Sequence, residues 1–243
     1  MNGLELIWVV GVIVIASFAQ SLSGFGFALL SVPLMSLVIS PRDAVVISTV
    51  IGAVSTTSQA VIDRRHLDWL LARRLSIAAY IGMPIGLLAF VLVSETGLRF
   101  GVGVTVLLAT FLLLRGFRLQ ESQRHYEWLL GATSGILSTS TSTNGPPLVF
   151  LMQARQLSPE VFRATINTVF ALSNFGALGL FLAAGKVSSD NMVGVVVALP
   201  ALGVSLGLGY FVRRHVTPSR FKFLVLGLLL LSSVSVLVSA FIR

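Results

Sequence analysis

The sequence predicts an all-α, polytopic integral membrane protein of two inverted-topology repeats, each a broken-helix hairpin followed by three transmembrane helices. Three observations lead there: an apolar composition, a series of helix-length apolar stretches, and a lopsided placement of arginines. Of the 243 residues, 55% are hydrophobic and 11% charged, and the mean hydropathy is +0.94. A water-soluble globule cannot bury that much apolar surface, so the expected solvent is the lipid bilayer.

A membrane-crossing helix needs about 20 predominantly apolar residues. Apolar stretches run at 6–22, 24–39, 44–62, 75–93, 98–114, 128–142, 145–154, 161–183, 192–211 and 221–242, leaving short connectors and no room for a separate soluble module. The first has the look of a signal-peptide core, Leu6 to Ile15 followed by Ser17-Phe18-Ala19. Glu5, and the lack of any Lys or Arg before the run, instead favour a retained helix. Two polar runs interrupt the apolar pattern, Ser21 to Gly26 and Ser138 to Pro147. Backbone exposed by such breaks cannot be satisfied by hydrocarbon, so both must be enclosed by protein or face water.

A net charge of +8 would suggest nucleic acid in a soluble chain, but here the basic residues occupy connectors, where they orient helices, and nucleic-acid binding is excluded. Thirteen of the 17 Lys and Arg fall in four clusters: Arg64, Arg65, Arg73 and Arg74; Arg115, Arg118 and Arg124; Arg155 and Arg163; and Arg213, Arg214, Arg220 and Lys222. These are placed on the cytoplasmic side, with Arg42, Arg99, Lys186 and Arg243 opposite. Both flanks of 128–154 then lie inside, so this segment enters and returns as a hairpin, and 6–39 does the same from outside. The repeats divide at 1–119 and 120–243, with both termini extracytoplasmic.

An internal echo supports the duplication. Ser40-Pro41, followed by Val45 to Val50, resembles Ser158-Pro159, followed by Arg163 to Thr168, at an offset of 118 residues. Gly82 and Gly86 around Pro84 parallel Gly203 and Gly207 near Pro200. These Gly-x-x-x-Gly spacings, with Gly131 and Gly135, let helix backbones approach within the molecule, and a homodimer contact is the alternative use.

Discontinuous helices in both halves direct half-helix N-termini, with free N–H groups and positive dipole ends, toward a shared midplane cavity. Such a cavity suits an anion. The expected solute contacts are Gln20, Ser21, Ser23, Gly24 and Gly26 in the first break, and Thr139, Thr141, Ser142, Thr143, Asn144 and Gly145 in the second, where Pro146-Pro147 opens a new half-helix. The alternative for each Ser or Thr is a hydrogen bond back to a helix carbonyl. Secondary candidates are Thr49, Ser55, Thr56, Thr57 and Gln59 on the helix after the first hairpin, and Asn167, Ser173 and Asn174 after the second. Arg155 and Arg163 are read as orienting charges that could also draw an anion to the inner mouth.

No Asp, Glu, Lys or Arg falls mid-span in this reading, so charge recognition must come from dipoles and neutral donors. The chain has no cysteine, and its three histidines, His66, His125 and His215, lie in connectors. No cofactor, metal or intramembrane catalytic centre is therefore expected. A coupling ion, proton or sodium, is compatible with the pattern, as is a passive channel through the same cavity.

At Ser23-Gly24-Phe25-Gly26-Phe27-Ala28-Leu29-Leu30-Ser31-Val32-Pro33 and Ser142-Thr143-Asn144-Gly145-Pro146-Pro147-Leu148 the chain resembles the sulfite exporter TauE/SafE family, also called toluene-sulfonate uptake permeases. The resemblance covers essentially the whole chain. It differs from the family's usual Gly-Gly runs at Phe25, Phe27 and Asn144. It implies a secondary transporter in the plasma membrane, the bacterial inner membrane, moving a small anion: sulfite, a sulfonate or another organic anion.

Overall fold

The computed structural model of the chain describes residues 1–115, 124–212 and, in the last segment, 227, 230, 231, 233–238 and 240. Much of the predicted span at 221–242, the basic cluster at 213–222 and most of the connector holding Arg118 lie outside these residues. Among the described residues every regular element is helical: α1 (Gly3–Ser23), α2 (Phe27–Met35), α3 (Pro41–Asp63), α4 (Trp69–Leu92), α5 (Glu95–Arg115), α6 (Arg124–Ser140), α7 (Gly145–Ala154), α8 (Pro159–Ala183) and α9 (Ser189–Val212). A single 3₁₀ turn, Arg64–His66, follows α3. Five of these helices, α1, α3 (with its 3₁₀ turn), α4, α8 and α9, are long and apolar enough to cross a bilayer.

Local sequence sets the boundaries. Ser40 accepts a hydrogen bond from the Asp43 amide at 3.1 Å, Ser158 accepts one from Val161 at 3.4 Å, and each Ser precedes a proline that occupies the first helical turn without needing a donor. Asp68 caps α4 by accepting from Leu71 at 3.0 Å. Helix α1 runs to Ser23, three residues into the predicted break, because Gly24 adopts a left-handed conformation (φ 84°) and closes the last turn with its N–H on the Gln20 carbonyl at 2.7 Å. Likewise Ser138, Thr139 and Ser140 are helical rather than part of the second break, which narrows to Thr141–Asn144.

Close packing organises the bundle into pairs: α4 lies against α6, α1 against α9, and α3 against α8. The α4–α6 crossing is made by four glycines. A Cβ at Gly82 would overlap the Ala132 carbonyl, one at Gly86 the Ile136 carbonyl, and one at Gly135 the Ala79 carbonyl, while one at Gly131 would lie 2.6 Å from the Ala78 Cβ. These glycines therefore serve contacts within the chain. Gly203 and Gly207, by contrast, face open space on α9. The α1–α9 crossing uses Ser205, whose hydroxyl donates to the Val14 carbonyl at 2.8 Å, and Gly209, packed on Ser21.

Tethers join helix ends in two groups. At one end, Asn191 donates to Asp43 at 2.6 Å, Arg42 donates to the Val93 carbonyl at 2.8 Å, and Arg99 donates to the Ser36 and Ile39 carbonyls beyond α2. At the other, the arginine-rich end, the Asp68 amide donates to Thr165 at 3.2 Å, and Glu127 pairs with Arg155 and, at 3.5 Å, with Arg74. One expectation needs correction here. Arg99 is not a connector charge: α5 already starts at Glu95, and Arg99 is buried against the C-terminal carbonyls of α2, whose partial negative charge it complements. Arg155, held by a Glu127 only 1% exposed, ties α7 to α6 and α4.

Gly135→Val should lower the thermal midpoint of the purified protein, with a cost of about 1–3 kcal/mol from overpacking against the α4 backbone. Gly203→Ala, made where nothing lies within 4 Å, should leave it within a degree or so of the parent.

Candidate solute-binding site

The two breaks converge. Gln20, Gly26, Phe27, Ala28 and Leu29 from the first hairpin and Ser142, Thr143, Asn144 and Gly145 from the second line one cavity of about 30 Å³, walled by Ser48, Gly52 and Thr56 of α3 and Phe170 and Asn174 of α8. One water needs about 10–15 Å³ of such volume, so the cavity holds about two waters, or a compact solute after small movements of its lining. No lining residue is charged.

Both short helices begin at this cavity. In α2, Leu30 is the first residue to close a helical bond, onto the Gly26 carbonyl at 3.1 Å, and Gly26 brings no side-chain cap to the amides of Phe27, Ala28 and Leu29. In α7 the prolines at 146 and 147 carry no amide hydrogen, and Asn144 gives no side-chain cap. The Asn144 carbonyl is instead taken by the Ser134 hydroxyl at 2.8 Å. Two positive helix ends thus face one shared space. The Asn144 side chain adds a further donor: the residue is 6% exposed, and its Nδ2 is buried with no hydrogen-bond partner among the described residues. A buried donor left unpaired costs folding free energy, so a ligand or water is its natural complement.

Other candidates shape the breaks, and of these only Ser142 and Thr143 also line the cavity. Ser23 Oγ donates to the carbonyls of Phe25 (2.6 Å) and Ala19 (2.8 Å), and Gly24 lies under the Arg163 stem, where a Cβ would meet Cγ at 2.6 Å. Thr141 and Thr143 share a hydroxyl contact at 2.7 Å. Ser142, in the left-handed region at φ 57°, is held by Thr49 at 3.2 Å. Thr139 donates to the Met83 carbonyl at 2.6 Å and Ser21 to the Phe18 carbonyl at 2.7 Å, so both are used in packing, as the back-bonding alternative anticipates.

Among the secondary candidates, Thr56 and Asn174 line the cavity and meet each other at 3.5 Å. Gln59 reaches Ser55 at 3.4 Å, Ser55 donates to Gln20 Oε1 at 2.7 Å, and Asn167 donates to the Arg163 carbonyl at 2.9 Å. Ser48, Gly52 and Phe170 were missed by sequence reasoning. Ser48 lies within the Val45–Val50 echo, and the 118-residue offset pairs Gly52 with Phe170, so the repeat pattern held a signal for them.

With this geometry established, the family comparison is decisive: the model for "Sulfite exporter TauE/SafE" matches residues 9–236. The chain belongs to the TauE/SafE family. It is accordingly an integral membrane protein of a transporter family. No curated protein and no solved structure gave a match. For this TauE/SafE protein, Gly24→Ala should lower the thermal midpoint, since the new Cβ would be strained at φ 84° and would crowd Arg163. Gly179→Ala, mid-helix with open space around it, should not.

Proposed function

We propose that this TauE/SafE protein is a secondary transporter of a small anion of the sulfite or sulfonate class, which binds between the two breaks and is exposed to the two sides by rocking of two inverted halves. The observation that carries the reading is one uncharged cavity faced by two half-helix N-termini and by the unpaired Asn144 amide. Anions are held at such sites by backbone donors and aligned dipoles. The absence of charge among the lining residues suits a solute that must also leave.

Several features support the inverted arrangement. The starts of α2 and α7, Phe27 and Gly145, are 118 residues apart, as are those of α3 and α8, Pro41 and Pro159. Gly24 and Ser142, both left-handed, keep the same spacing, and so do Thr56 and Asn174, which touch. The α1–α9 and α4–α6 crossings exchange when the halves are exchanged. With the arginine-rich end in the cytoplasm, the termini face outward. The small, walled cavity favours a carrier over a channel, and proton or sodium coupling remains part of the proposal.

The test is ligand-dependent thermal stabilisation. Sulfite, sulfate, an alkyl sulfonate and a small carboxylate are compared at about 100 times the dissociation constant, where a folded-state ligand contributes about 2.7 kcal/mol. A shift with sulfite or the sulfonate that disappears in Asn144→Leu and Thr143→Val is the expected result. Asn144→Asp, which introduces a negative charge into the cavity, should abolish the shift as well. Stabilisation by none of these anions would sink the assignment.

A further inference from the structure

The protein on either side of the cavity is built in different ways. Toward the end bearing Asp43 and Arg42, Phe90 and Phe181 pack with ring centroids 4.8 Å apart, both 0% exposed, inside a continuous apolar cluster that includes Leu98 and Val102. Toward the arginine-rich end, Phe25 stands edge-on to Phe162, with centroids 6.1 Å apart and planes at 78°. Both of these rings are only partly buried.

The placement of Phe25 is specific. It lies between Gly24 (φ 84°) and Gly26 (φ 95°), two consecutive opportunities for backbone rotation at low steric cost. Gly26 and Phe27, immediately after it, line the cavity. Phe162 is in the first turn of α8, and Phe170, which also lines the cavity, lies about 12 Å further along the same helix at 1.5 Å per residue. The Phe25 ring therefore stands between the cavity and the arginine-rich end. It also packs on both apolar clusters of the protein, one built mainly on α1, α2, α3 and α5, the other on α4, α7 and α8, and so sits on the seam between them. At the 118-residue offset, Phe25 corresponds to Thr143 and Phe162 to Ala44, so the aromatic pair has no bulky counterpart in the other half.

We propose that the Phe25–Phe162 contact is the gate between the cavity and the arginine-rich end, with Phe25 as the moving leaf hinged on Gly24 and Gly26. In the closed position Ser23 Oγ donates to the Phe25 carbonyl, and the Arg163 stem covers Gly24. Opening carries Phe25 away from Phe162 and leaves the Phe90–Phe181 layer in place. The gate deepens the transporter reading, since it assumes that the cavity is the solute site.

The chain has no cysteine, so Ser48→Cys places a single reporter thiol in the cavity wall. Its modification rate by a charged, membrane-impermeant methanethiosulfonate is measured on the purified protein, with the thermal midpoint as the check of folding. Phe25→Ala and Phe162→Ala should each raise the rate about three- to ten-fold, the size expected from losing one aromatic pair. Phe25→Leu should stay near the parent and Phe181→Ala should not raise it. Phe162 lies outside the break, so its variant carries the test if Phe25→Ala fails to fold. Unchanged labelling in folded Phe162→Ala, or a rise confined to Phe181→Ala, overturns the gate. No solute is used in this measurement, so a wrong anion assignment would fail the stabilisation test and leave the labelling result standing.

Discussion

Everything in this molecule follows from the cost of leaving backbone N–H and C=O groups bare in hydrocarbon. Two helices are interrupted within the membrane domain, and each interruption frees several such groups. Only protein can enclose them there, and α3 and α8 do so by lying between the hairpins with polar side chains at the level of the breaks. Thr49 supports Ser142, Ser55 engages Gln20, and Asn174 meets Thr56. The amides that remain unanswered collect at one place, and that place is the cavity.

The surrounding helices hold this arrangement by proximity. Where lipid is the solvent, apolar side chains gain little by exchanging lipid for one another, and close backbone approach through small residues becomes a main source of cohesion. The α4–α6 crossing achieves it with four glycines, and the α1–α9 crossing with Gly209 and two serines. Ionised groups are kept to the helix ends, where Arg99 and Arg42 answer terminal carbonyls and Glu127 is shared by two arginines.

Much of this could be read from the chain. Helix identity, the two interruptions and the Ser-Pro starts of α3 and α8 were legible because glycine, proline and hydroxyl residues act locally, and their effect needs no knowledge of the fold. Within the breaks, legibility fell to the level of types of residue. Asn144, Thr143, Ser142, Gly145, Gln20 and Gly26 reach the cavity, while Thr139, Ser21 and Ser23, of the same chemistry, turn to carbonyls of their own or a neighbouring helix. The difference is rotational phase: one residue along a helix turns a side chain by about 100°, and composition carries no phase. Phe170 gave no compositional signal for the converse reason, because an apolar residue in an apolar helix gives no contrast, and only the 118-residue offset to Gly52 points to it.

The meeting of Thr56 with Asn174 has an energetic consequence. In the proposed arrangement these are equivalent positions that face each other across an internal two-fold axis. In that arrangement, identical halves would give two end conformations related by the two-fold axis and equal in energy. A substitution on the axis cannot be repacked privately by one half, since its neighbour is its own counterpart. In that arrangement, threonine opposite asparagine would bias the resting balance between the two conformations.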